Sequence, residues 1–263
     1  MHRLAGQLLT LCLLLVLLAF SLMAGSTVNR ADNDLSSSAN TAATTGSDGA
    51  NEVFVPVSVT ILARQMYATT TLTPALDSDG AAGCVVSIAQ IKDVLGNNVS
   101  TKMRSYTATL TYDRTRLNVL AVRHSTAFPG TEIINNRKGT AEFSGTATQG
   151  VTVPCDLAFL VLRLTGTMRQ PVTATLTFTD IRDAYGNSIV QTTPVPQKQF
   201  LRGDAKPDGT VNLQDALYIL GYLGRTIGIG EGSGRVNAVN AASASYDGKY
   251  DKITLADVQA ILR

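Results

Sequence analysis

Tryptophan is absent from this 263-residue chain, and histidine occurs only at His2 and His124. General acid–base catalysis by imidazole needs a partner within hydrogen-bond reach. His2 lies in an N-terminal leader, and no acid–base partner for His124 can be read from its surroundings in the sequence. Aromatic residues make up 6% of the chain, which counts against a sugar-stacking platform. Charge is equally sparse. The formal net charge is +2 with Lys and Arg scattered, which argues against electrostatic capture of nucleic acid. Ser125 and Ser144 lack the glycines of a nucleophile elbow. Asp113, Glu132, Glu142, Asp156, Asp180 and Asp183 follow no paired-carboxylate pattern of the kind glycoside hydrolysis requires, and each reads as a solvated strand or turn residue. The expectation is a protein that is not an enzyme.

Cysteine is scarce too. Of three, Cys12 falls in the leader, leaving Cys84 and Cys155. In an exported chain these two are expected to form a single disulfide, the alternative being two free buried thiols. Export is read from residues 1–25, where His2 and Arg3 precede an apolar run from Leu8 to Ala24. Small residues at Ala24, Gly25 and Ser26 suit signal peptidase, whereas Leu22 does not. The run is a little short of the ~20 residues of a spanning helix, so cleavage is favoured over retention as a membrane anchor. Residues 26–51 are rich in Ser, Thr, Ala, Asn, Asp and Gly and read as a disordered linker. The expected location is secreted or cell-surface, with membrane contact only through an uncleaved leader.

From Val53 the composition changes to short segments rich in Val, Thr, Leu and Ile, divided by Gly, Asn, Asp and Pro. Strands are predicted near Val53–Leu62, Cys84–Ile91, Tyr106–Tyr112, Leu117–Arg123, Gly139–Ser144, Ala158–Gly166 and Ala174–Thr179, with smaller pieces between them. In Tyr106–Tyr112 apolar residues alternate with threonines, as on a sheet with one wet face. Many short strands without intervening amphipathic helices predict two packed antiparallel sheets over residues 52–197.

Residues 198–263 carry the most specific signal. Gly203-Asp204-Ala205-Lys206-Pro207-Asp208-Gly209-Thr210-Val211-Asn212-Leu213-Gln214-Asp215 has the spacing of a calcium loop that opens a helix. A hard divalent cation takes six or more oxygens from one sharply turned segment. With Asp204 at position one, Asp208 stands at five, Gly209 at the turn and the Thr210 carbonyl at seven. Asn212 and Asp215 then stand at nine and twelve. Leu213, Leu217, Leu220 and Leu223 follow at helical spacing and are expected to face inward. Lys206 replaces the usual Asn or Asp at position three, removing a ligand and adding a positive charge. The phrase Val211–Ala216 recurs as Ile253–Val258, so the unit is duplicated around Asp257. Two registers are open for the second loop: Tyr246 and Tyr250, or Asp247 and Asp251, at positions one and five. Neither gives a glycine at six.

This duplicated unit resembles type I dockerin domains, modules of two EF-hand-like loop-helix halves that bind cohesin domains. The resemblance implies calcium on Asp204, Asp208, Thr210, Asn212 and Asp215, with Asp247, Asp251 and Asp257 as candidates in the second loop. It also implies recognition through Leu213-Gln214 and Leu255-Ala256. Upstream, Leu110-Thr111-Tyr112-Asp113-Arg114-Thr115-Arg116-Leu117 resembles the second-to-third strand turn of cohesin domains. The sandwich is accordingly expected to be cohesin-like. The expected fold class is a mainly β, cohesin-like antiparallel sandwich with a small all-α calcium-loop, dockerin-like module. The expected role is assembly through a cohesin-type domain of another protein. Alternatively the module packs on its own sandwich, or the chain binds polysaccharide or cell wall and the calcium module is only a clip.

Overall fold

The computed structural model describes residues 65–245 and 252–263. The chain divides into units of residues 1–58 and 59–263, and every described residue belongs to the second. The leader, the linker and the predicted strand at Val53–Leu62 lie outside the described residues.

Ten strands build the larger part. They are β1 (Met66–Leu76), β2 (Ala82–Asp93), β3 (Lys102–Tyr112), β4 (Leu117–His124), β5 (Gly130–Asn135), β6 (Thr140–Thr152), β7 (Cys155–Leu164), β8 (Val172–Asp183), β9 (Ile189–Gln191) and β10 (Gln197–Phe200). They form two five-stranded sheets, in the orders β4-β7-β2-β1-β9 and β10-β8-β3-β6-β5. Pairing is antiparallel except between β1 and β9.

One continuous core joins the inner faces of both sheets, so the two sheets pack as a sandwich. Alternation along β3 shows how the sequence specifies it. Met103, Tyr106, Ala108, Leu110 and Tyr112 are buried, whereas Thr107 and Thr111 face water. The Tyr106 ring meets Phe128, Phe143 and Phe178 edge-on, with centroids 5.7, 6.1 and 6.2 Å away. Its hydroxyl crosses to the other sheet and donates to the Leu157 carbonyl at 3.1 Å, so the buried phenol keeps a partner. Full burial of such a side chain contributes roughly 1.5–3 kcal/mol. The Tyr112–Leu117 phrase is a turn held locally. Asp113 accepts hydrogen bonds from the Thr115 amide at 2.9 Å and its hydroxyl at 2.6 Å.

The expected disulfide is corrected. Cys84 and Cys155 are free thiols. They lie on neighbouring strands, but Cys84 pairs with Leu160 while Cys155 pairs with Ile88. Four residues of offset along β2 amount to about 13 Å, well beyond the ~7 Å Cα separation a bridge allows. Burial pushes the Cys84 thiol far up and lifts Cys155 to about 11, so neither is a ready thiolate. His124 also differs from expectation, because its Nε2 lies 3.0 Å from Glu132 Oε2 and links β4 to β5.

After β10 the chain forms α1 (Leu213–Leu223), a two-residue parallel pair β11 (Gly228–Ile229) and β12 (Arg235–Val236), α2 (Ala238–Ala242) and α3 (Leu255–Ile261). Among the described residues no helix is long and apolar enough to cross a membrane. A second core holds these elements on the sandwich. It contains Ala216, Ile219, Val236, Ala238, Ala241, Ala242, Ile253 and Val258 together with Ala82 of β2. Val239 of α2 reaches into the main core. The intramolecular packing that the sequence left open is therefore present.

Candidate functional site

Local hydrogen bonding shapes the segment from Asp204 to Asp215. Asp204 is buried, and its two carboxylate oxygens accept from the Asp208 and Gly209 amides, each at 3.2 Å. Gly209 sits at φ +84°, a left-handed conformation that side chains disfavour, and turns the chain back over that carboxylate. Asp208 Oδ1 accepts from the Thr210 amide at 3.0 Å and the Thr210 hydroxyl at 2.7 Å. Asn212 caps α1 by accepting from the Gln214 amide at 2.7 Å. Asp215 is fully buried and closes the loop: its oxygens accept from the Lys206 and Asn212 amides, each at 2.8 Å. Asn212 and Asp215 together make a capping box.

The electrostatics of these acids are uneven. Burial raises Asp204 to about 6, and the charges of Asp215 and Asp208 push in the same direction. Burial also raises Asp215, with its backbone N–H bonds acting against the rise. Asp208 is held below the usual carboxylate range, first by the Thr210 hydroxyl and then by Lys206. The Lys206 ammonium lies 3.2 Å from Asp208 Oδ2 and also bonds Gln214 Oε1.

Among the described residues no three or more His, Cys, Asp or Glu side chains converge closely enough to hold a metal on their own. A calcium shell draws on other oxygens as well, including amide and backbone carbonyls. The loop's donor set is of that kind: three carboxylates, the Asn212 amide and the Thr210 carbonyl, all oxygen. Two of its acids are buried and bonded by backbone N–H groups, an environment that a cation would relieve. In kind, the residues fit a hard divalent ion.

The second half repeats the cap on a different approach. Asp257 is fully buried, and its oxygens accept from the Ser245 and Thr254 amides, each at 2.8 Å. Thr254 replaces Asn212 as the cap of α3, and the capping box is again complete. The amide that reaches Oδ1 lies nine positions before the acid in the first half and twelve in the second. Asp247 and Asp251 lie outside the described residues, as do Tyr246 and Tyr250.

The approach to that second cap is a wedge that the sequence reading missed. Every residue from Val236 to Ser245 is buried. Asn240 accepts from the Leu201 amide at 3.0 Å and donates to the Asp204 carbonyl at 2.9 Å, which ties α2 to the start of the first loop. The buried Arg202 guanidinium donates to the Ser243, Gly166 and Ala244 carbonyls at 2.6, 3.0 and 2.8 Å. Ser243 Oγ accepts from the Leu164 amide at 3.0 Å. The available signal was a charge-free run of Ala, Asn, Val and Ser, which allows close backbone approach.

The leucine stripe of α1 is a second correction. Leu213, Leu217 and Leu220 are exposed by 61, 55 and 42%, and the face that packs inward carries Asp215, Ala216 and Ile219. Ala216 and Ile219 join the second core, and α1 packs chiefly against α3, which leaves the leucines outward. Leu255, which repeats Leu213 on α3, is 61% exposed. Of the four expected recognition residues, Leu213, Gln214 and Leu255 face solvent and Ala256 is half-buried.

No protein-family model and no curated protein matches this chain. Among solved structures it is similar to a non-cellulosomal cohesin from the hyperthermophilic archaeon Archaeoglobus fulgidus, at 15% identity and a TM-score of 0.37, covering 53% of this chain and 94% of that one. It is similar to a chain of a type I cohesin–dockerin complex from Clostridium thermocellum, at 14% identity and a TM-score of 0.36, covering 55% and 99%. A cohesin module from a family 33 glycoside hydrolase of Clostridium perfringens gives 12% identity and a TM-score of 0.38, covering 50% and 95%. TM-scores this low carry no weight, and the sandwich rests on its own sheets and shared core.

Proposed function

We propose that this chain is an exported, noncatalytic adaptor whose calcium-stabilised terminal helices dock a cohesin-type domain of another protein. The observation that carries the reading is the outward leucine stripe of α1 together with Leu255 of α3. A helix that already satisfies its inward face with Asp215, Ala216 and Ile219 and still leaves Leu213, Leu217 and Leu220 in water is presenting a surface. Packing against the sandwich fixes both helices before a partner arrives, which lowers the ordering cost of association. Calcium, supplied to the oxygens of Asp204, Asp208, Thr210, Asn212 and Asp215, would offset the charge of the buried acids and fix the start of α1.

Of the tyrosines that could form a sugar-stacking platform, Tyr67, Tyr106, Tyr112 and Tyr185, the polysaccharide alternative loses two, because Tyr106 and Tyr112 are core residues. Retention on immobilised cohesin-type domains, with and without chelator, tests the adaptor reading. Binding that calcium supports and that Leu213→Asp with Leu255→Asp abolishes is expected. Retention on insoluble glycans that chelator leaves intact would favour the sugar-binding account instead.

A further inference from the structure

Resting on that calcium reading, we propose that Lys206 is a built-in competitor for the first-loop ion, and that its displacement couples ion binding to the partner-facing Gln214. The lysine occupies loop position three, where a ligand is expected. Its backbone amide is fixed by Asp215 at 2.8 Å, so its side chain starts from a set point inside the loop. From there the ammonium reaches Asp208 Oδ2 at 3.2 Å and Gln214 Oε1. One cation thus joins a candidate calcium ligand to a candidate recognition residue, across eight residues of sequence.

The chemistry makes the two states exclusive. Asp208 Oδ1 is already engaged by Thr210, so the oxygen left for an incoming ion is the one nearest the ammonium. A divalent ion on Asp208 repels a positive charge held a few ångströms away and removes the negative charge that held it there. Lysine has a flexible four-carbon stem and a strongly hydrated head, so it can leave for solvent without unfolding the loop. When it leaves, the Gln214 amide loses its internal partner and becomes free to bond elsewhere. Exposure of about a third of each side chain keeps the competition modest.

Calorimetric calcium titration of the full chain and of Lys206→Met and Lys206→Asn tests this. Methionine removes the charge without adding a ligand, and asparagine does both. Tightening of roughly three- to tenfold is expected for Lys206→Met, with more for Lys206→Asn. If only Lys206→Asn tightens, the lysine is a missing ligand rather than a competitor and the proposal falls. An absence of calcium heat in all three proteins would overturn the calcium reading itself, and this inference with it. A second readout follows the Gln214 side-chain amide resonance, identified by its loss in Gln214→Leu. It should shift on calcium addition in the unsubstituted chain and stay nearly still in Lys206→Met; equal shifts in both would overturn the coupling.

Discussion

The two halves of the terminal module share one cap and differ in almost everything that leads up to it. Both helices begin with a side-chain oxygen on the second helical amide and a fully buried aspartate reaching back to the cap. The first half approaches through an acid-rich loop with a glycine at its turn. The second approaches through a wedge of small residues pressed onto the sandwich and bound by Arg202. The helix start, where geometry is strict, is common to both, whereas the approach is polar and acid-rich on one side and closely packed from small residues on the other.

The comparison breaks most visibly at Arg202. Its side chain holds three carbonyls, two of them buried in the wedge. Hydrogen bonds to a charged group are worth about 1.5–3 kcal/mol each, with incomplete additivity. Arg202→Ala is expected to cost about 3 kcal/mol or more, measured by urea unfolding. If packing orders the second half, added calcium should not restore the loss; full restoration by calcium would refute the division of labour.

Next come the two buried acids. Each satisfies two backbone amides, and unsatisfied buried donors cost about 1–3 kcal/mol. Asp215→Ala and Asp257→Ala should therefore each lower stability by roughly 2 kcal/mol. The sharper outcome lies in the difference between them: Asp215→Ala should also erase the calcium-dependent rise in Tm, whereas Asp257→Ala should retain most of it. Equal loss in both variants would place an ion in each half.

These elements also show where the sequence was informative. Strands with an apolar inner face, such as β3 and β8, were legible because alternation and burial coincide. β1 was not, because Thr70 faces inward, bonded at 2.7 Å by Gln191 Nε2, and Pro74 interrupts the pattern. The short β9 and polar β10 carry little periodic signal. The first loop was legible because its spacing repeats a ligand geometry. In α1, helical spacing correctly located the leucines on one side, but the rule that apolar residues turn inward assigned them the wrong one. The inward positions are taken by Ala216 and Ile219, which join the second core. The wedge was illegible for a related reason: small residues carry no strong burial signal individually, and their common burial depends on Arg202 and Leu164, remote in sequence.

A smaller effect separates the caps themselves. Asn212→Ala and Thr254→Ala should each cost about 1 kcal/mol as lost helix caps. Asn212 is also a candidate ion ligand, so its substitution should cost more in calcium than in chelator. Thr254→Ala should cost the same in both. Thermal melts in paired buffers give the result, and a calcium-independent Asn212→Ala would remove that side chain from the donor set.

The smallest effect on stability accompanies the most direct test of recognition. Leu213 and Leu255 each lie mostly in water, so replacing either with Asp should change unfolding by no more than about 0.5 kcal/mol. Binding is different, because a carboxylate placed at an apolar contact must be desolvated without a partner. If the two halves contribute unequally, one substitution will abolish retention on a cohesin-type domain and the other will leave it nearly intact. The first half is expected to dominate, since α1 adds Leu217 and Leu220 to the same exposed stripe. Retention that survives the double substitution Leu213→Asp with Leu255→Asp would remove the helix surface from the account of assembly while leaving the calcium loop untouched.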